Sequence, residues 1–130
     1  MNEPVLDSTA VLALLLAETG ADRVQAALPG ALLSAVNLAE VVTKLGERGM
    51  PAGEARAAVE AMGVEVVDFG ADQACLVGEL RIATRSAGLS LGDRACLALA
   101  RIRNVPAITA DAIWGQLPGF DVVVIPGAGS

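Results

Sequence analysis

Two periods of apolar residues alternate along the chain, short apolar runs and longer stretches with helical spacing. "VLDSTAVLALLLAE" opens with a brief apolar strand, meets Asp7 and Ser8, either of which can cap a helix, and continues as that helix. "GADRVQAAL" reads as a short second helix ending before Pro29-Gly30, and "ALLSA" as a buried strand. In "AVNLAEVVTKLGERG", Leu38, Val41, Val42 and Leu45 fall at i, i+3, i+4 and i+7 and predict an inward stripe, broken at Met50-Pro51. A helix "AGEARAAVEAMG", a strand "VEVVDF" and a long helix "ADQACLVGELRIATRSAG" follow. "LSLGDRACLALARI" is then expected as a helix entered through Ser90 and Gly92 and closed around Asn104. Its predicted core face is Leu91, Ala98, Leu99 and Ile102. "VPAIT" reads as a strand, "ADAIWGQL" as a short helix, and "DVVVI" as a last strand before an irregular "PGAGS" end. Strands recurring between helices predict an α/β domain: a mostly parallel sheet with helices on both faces.

Length and composition narrow this picture. At 130 residues the chain suits one domain, 1–130, and 54% hydrophobic residues supply one sizeable core. With two Phe, one Trp and no Tyr, that core is expected to pack small side chains. No apolar run reaches bilayer length and no secretory leader is evident, so a cytoplasmic location is expected. Cys75 and Cys96 are too few and too far apart for a metal or redox motif and read as reduced core residues. A net charge of −6 argues against wrapping nucleic acid by bulk attraction. The absence of histidine removes His-based acid–base chemistry, His-assisted nucleophiles and most zinc sites.

Carboxylates are what remain, and four stand where a parallel sheet gathers ligands, at strand ends and helix starts. Asp7 follows the first strand, Asp111 follows "AIT", and Asp93 lies in a first helical turn. Glu40 lies in a second turn, three residues after Asn37 and off the Leu38 stripe. Each has a plain structural reading: caps for Asp7, Asp93 and Asp111, and a solvated Glu40 paired with Lys44. Read together they repel one another and call for a positive partner. Oxygen-only ligation favours Mg²⁺ or Mn²⁺, which suits phosphodiester hydrolysis.

Four segments, "VLDSTAVLALL", "LSAVNLAEVVTKL", "GLSLGDRACLALA" and "AITADAIW", together resemble the PIN-domain ribonucleases, and among them the VapC toxins of bacterial toxin–antitoxin pairs. The resemblance runs from Leu6 to the last strand. It implies a three-layer α/β/α sandwich and a site of four acids, falling here on Asp7, Glu40, Asp93 and Asp111 as catalytic and metal-ligating residues. It further implies a Mg²⁺- or Mn²⁺-dependent endoribonuclease, commonly dimeric, held inactive by a cognate VapB-like antitoxin that carries the contact with DNA. Ser8, Asn37 and Thr109 stand as supporting residues able to orient water, ligand or phosphate, or else to bond the local backbone. An Arg or Lys often follows the acid of "TAD" in the family, whereas Ala112 stands here. Arg94 at the rim, and Arg81 with Arg85 on one helix face, are candidate RNA contacts. Trp114 reads as a core anchor before a base-stacking residue.

Two other classes compete. An aspartyl phosphotransferase would carry a second Asp two residues after the nucleophile, where Thr9 stands, and no Gly-rich loop carries a Lys for nucleotide phosphates. The remaining alternative is a catalytically restricted PIN-like module that binds RNA or protein.

Overall fold

A computed structural model describes residues 3–127. Five strands, β1 (Val5–Leu6), β2 (Leu32–Ser34), β3 (Glu65–Val67), β4 (Ala107–Thr109) and β5 (Val122–Val124), form one sheet in the order β3-β2-β1-β4-β5. Every neighbouring pair is parallel. Helices α1 (Ser8–Leu15) and α2 (Ala21–Gln25) connect β1 to β2, and α3 (Ala35–Glu47) and α4 (Ala52–Ala61) connect β2 to β3. Helices α5 (Ala71–Ala83) and α6 (Leu91–Arg103) lead to β4, and a 3₁₀ turn at Ala112–Gln116 leads to β5.

The period of two along each strand sorts the core into two layers. Val5, Leu32 and Ala107, paired across the sheet, face α5, α6 and Trp114. Their neighbours Leu6, Leu33 and Ile108 face α1 to α4. The result is the expected three-layer α/β/α sandwich, and the central strands are apolar on both sides because helices cover both faces. The chain leaves β1 toward β2 on one side and later returns to pair β4 on β1's other side. Between the carboxyl ends of β1 and β4 the strand order therefore reverses, which is where open parallel sheets form a crevice.

Several local expectations change. Helix α5 stops at Ala83, with Thr84 donating its hydroxyl back to the Leu80 carbonyl at 2.6 Å. A separate 3₁₀ turn, Arg85–Ala87, follows, closed by Gly88 at φ +64°. Arg81 and Arg85 thus sit on two elements rather than on one helix face. In α6, Ala98 and Leu99 are buried as expected, but Leu91 is 53% and Ile102 49% exposed. The buried surface is instead the unbroken run Ala95–Ala100, because the middle of α6 is enclosed between the sheet, α3 and α5 while its ends emerge. Cys75 is exposed on α5, whose inward residues are Val77 and Leu80; Cys96 alone is buried, and both thiols are free. In α3, Val41 and Leu45 are buried while Leu38 and Val42 are half-buried. "ADAIWGQL" forms 3₁₀ rather than α structure, and its Trp114 is wholly buried as a core anchor. The last three residues of "PGAGS" lie outside the described residues. No helix among the described residues is long and apolar enough to cross a membrane.

Candidate active site

Asp7 is the first residue past β1 and the N-cap of α1. Its Oδ1 accepts the Ala10 N–H at 2.9 Å and the Thr9 hydroxyl at 2.7 Å, and its Oδ2 accepts the Thr109 hydroxyl. The capping reading therefore holds, yet it is incomplete, because the carboxyl is also 2% exposed. Burial drives its pKa up from 3.8 to about 6; bonds from Thr109, Ala10 and Thr9 oppose the rise, and the charge of Asp93 adds to it. An ordinary cap faces water and shows no such rise.

The two threonines join the crevice walls. Thr109, the last residue of β4, accepts the Asp111 N–H at 3.0 Å, and Thr9, in the first turn of α1, accepts the Ala110 N–H at 2.9 Å. Both hydroxyls point to Asp7, so the carboxyl ends of β1 and β4 are tied through one acid. Thr109 is among the supporting residues expected from the sequence, and Thr9 is an addition from the structure. The visible signal was a hydroxyl two residues after an N-cap, in "DST".

Asp93 arrives on α6. Ser90 and Asp93 form a capping box: the Ser90 N–H donates to Asp93 Oδ2 at 2.9 Å, and the Asp93 N–H donates to Ser90 Oγ at 3.2 Å. Oδ1 takes no part in the box. Asp111 behaves alike, with Oδ1 accepting the Ile113 N–H at 3.1 Å and Oδ2 outside that bond. Each acid starts a helical turn with one oxygen.

Glu40 is held by Asn37, whose Nδ2 donates to Oε1 at 2.8 Å; Lys44 pairs instead with Glu47, at 3.9 Å. The same Nδ2 donates to the Gly92 carbonyl at 3.0 Å. Ser8 lines a cleft with Glu40, Ser90 and Gly92, and an adjoining groove that shares Thr9, Leu12 and Lys44 with it reaches Asp111.

The electrostatics converge where α6 enters the core. The Cys96 thiol is pushed well above its usual range by burial first, then by the charges of Asp7, Asp93 and Glu40. Three of the four acids thus act on one point, and the fourth, Asp111, is tied to the site by its backbone N–H, which Thr109 accepts. Among the described residues no three carboxylates stand close enough to share one ion. The donor set nonetheless suits a hard cation in kind: it is made of carboxylate oxygens, and one carboxylate is buried with no positive partner among the described residues. The candidate RNA contacts lie elsewhere. Arg81 and Arg85 are exposed on α5 and the following turn, and Arg94 is turned to α5, where Nη1 donates to the Val77 carbonyl at 2.9 Å.

Comparisons with known proteins agree with the fold. No curated protein matches the chain. Among solved structures, a toxin–antitoxin complex from Klebsiella pneumoniae is similar at TM-score 0.72 and 21% identity, over 93% of this chain and 96% of that one. A Mycobacterium tuberculosis VapC toxin described as cleaving the sarcin–ricin loop has TM-score 0.72 and 23% identity, over 89% and 95%. A VapBC-family structure from the same organism has TM-score 0.58 and 25% identity, over 94% and 96%. The PIN domain model matches residues 5–119, which hold every strand but β5 and all four acids. Matched from its first strand past its last candidate acid and folded as these structures are, the chain belongs to the PIN-domain family.

Proposed function

We propose that this chain is a VapC-type toxin, a single PIN domain over residues 1–130 that hydrolyses RNA phosphodiester bonds with a divalent cation, Mg²⁺ or Mn²⁺. The observation that carries the reading is Asp7: a carboxyl buried at the switch of strand order, with its pKa raised to about 6 and Asp93 adding to the rise. Uncompensated charge at that place is the electrostatic demand of a cation site. Asp7 and Asp93 are the principal ligands, then Glu40, with Asp111 binding directly, through water, or at a second ion.

A divalent cation held by these acids would polarise the scissile phosphate and lower the pKa of the attacking water. The chain's own groups do the rest. Water attacks phosphorus in line with its proton passing to the Glu40 carboxylate, and the bond to the leaving oxygen breaks, that oxygen taking a proton from solvent. Thr9 and Thr109 hold both oxygens of Asp7 in place, and Ser8 is positioned to meet water or phosphate from the cleft wall. Arg81 and Arg85, being exposed, are available to RNA phosphates; Arg94 reaches one only by releasing Val77.

The similar structures, toxin–antitoxin complexes among them and two of these with DNA, support a VapB-like antitoxin as partner. DNA contact through that antitoxin, a homodimeric toxin and a cytoplasmic setting belong to the same proposal. A neighbour described as cleaving the sarcin–ricin loop supports a restricted structured-RNA target. The second reading, a PIN module with restricted catalysis, is favoured by one observation, that among the described residues no three acids close on a common ion. Purified chain incubated with total RNA and Mg²⁺ or Mn²⁺ separates the two. Cleavage lost with EDTA and in folded Asp7→Asn and Asp93→Asn variants supports the nuclease. Equal cleavage by wild type and both variants refutes it, and mapped ends scattered throughout the RNA refute the restricted target.

A further inference from the structure

Glu40 and Asp93 belong to different helices, and nothing in their own elements fixes how far apart they stand. Asn37 bridges that gap. It is 1% exposed, and its one amide nitrogen divides two protons between the Glu40 carboxylate on α3 and the Gly92 carbonyl, next to Asp93, in the first turn of α6. Both partners are acceptors, so the amide can face them only with its nitrogen. Gly92 supplies the other half of the fit, because a Cβ there would run into the carboxyl group of Glu40. The glycine is wholly helical and no left-handed backbone demands it; the Glu40 carboxyl occupies the space a side chain would take.

We propose that Asn37 and Gly92 form a latch that registers the α3 acid against the α6 acid, with Asn37 a positioning residue acting through Glu40 rather than a group that meets RNA. The role in cation binding rests on the nuclease reading; the latch itself does not. The bonded pair is part-buried and one member is a carboxylate, the setting in which a hydrogen bond is strongest. The Glu40 side chain is thereby kept from straying toward the water-facing side of α3. Replacing Asn37 by Ala removes both bonds while leaving Glu40 in place chemically, and replacing Gly92 by Ala pushes Glu40 out while leaving Asn37.

The test combines a stability cycle with a metal titration on the full chain. In EDTA, unfolding equilibria of wild type, Asn37→Ala, Glu40→Ala and the double variant give the coupling between the two residues. Coupling of about tenfold in the unfolding constant is expected for a bond to a carboxylate; coupling within twofold overturns the latch. Mn²⁺ is then titrated calorimetrically into wild type, Asn37→Ala, Gly92→Ala and Leu45→Ala. The last removes buried α3 packing away from the acids and controls for general loosening. Affinity losses of roughly 10–100-fold in Asn37→Ala and Gly92→Ala, exceeding that in Leu45→Ala, support positioning. Losses no greater than that of Leu45→Ala overturn it. Wild-type chain that neither binds Mn²⁺ nor cleaves RNA overturns the nuclease reading, and with it the positioning role, while the stability cycle still decides whether the latch exists.

Discussion

Removing the charge of Asp7 should make the protein more stable as it makes it inactive. In the metal-free chain this carboxyl ionises at about 6 rather than 3.8, because burial outweighs its three hydrogen bonds and Asp93 adds to the rise. Between those two pH values the folded state holds a proton the unfolded state has lost, so stability falls as pH rises. The contribution is intact below pH 3.8 and gone once pH passes about 6. At pH 7.5 ionised Asp7 therefore weakens the fold by about 3 kcal/mol relative to a carboxyl that titrates normally. Asp7→Asn abolishes this while keeping an oxygen for the Ala10 N–H and Thr9 hydroxyl. Its amide must donate to Thr109, which then has to turn its own proton elsewhere, and that rearrangement gives back part of the gain. A net gain of about 1–2 kcal/mol is expected in EDTA, a melting-temperature rise of roughly 3–10 °C. Urea unfolding of both proteins at pH 7.5 and pH 5 measures it, and the difference should shrink at the lower pH. A variant less stable than wild type at pH 7.5, or a difference unchanged at pH 5, refutes the reasoning.

Mg²⁺ or Mn²⁺ should raise the melting temperature of wild type in proportion to the logarithm of its concentration above Kd, and should scarcely move Asp7→Asn; equal shifts would refute a cation at Asp7. Thr109→Val removes a donor that lowers the Asp7 pKa, so the Asp7 carboxyl should titrate further above 6 by carbon-13 NMR, and an unchanged or lower midpoint refutes the role. Trp114→Ala, at a wholly buried side chain far larger than its neighbours, should cost about 3–5 kcal/mol in denaturant unfolding. A loss below about 1 kcal/mol would contradict its place as a core anchor.

The layering, a parallel sheet covered on both faces, followed from residues whose patterns are local. Val5-Leu6, Leu32-Leu33 and Ala107-Ile108 are short apolar runs followed by polar residues, which is what a strand covered on both faces looks like. The fate of Leu91 and Ile102 was not local. Helical spacing aligns them with Ala98 and Leu99, and only the finite span of the neighbouring sheet, α3 and α5 decides that the ends of α6 emerge. Cys75 was misplaced for the same reason, since α5 covers the sheet with a narrower face than its apolar content suggests. At the site, acids and caps were legible because strand ends and helix starts leave marks such as "DST" and "SLGD". The Asn37 bond to Gly92 crosses 55 positions and depends on how α3 meets α6, which no spacing within either segment expresses.

The divided duty of the acids bears on how such a chain would decay. Asp93 and Asp111 each spend one oxygen at a helix start, Asp93 closing the capping box on Ser90 and Asp111 as an N-cap. A lineage without RNA cleavage would still be under pressure to keep them, or to drift only to residues that serve there, such as Glu or Gln at 93 and Ser or Asn at 111. Asp7 lies under the opposite pressure. Its charge strains the fold, and a neutral side chain of the same shape would relieve that strain. Among relatives of this chain, an intact acid at position 7 is therefore the better witness to selection for chemistry, whereas acids at 93 and 111 testify as much to helix capping as to catalysis.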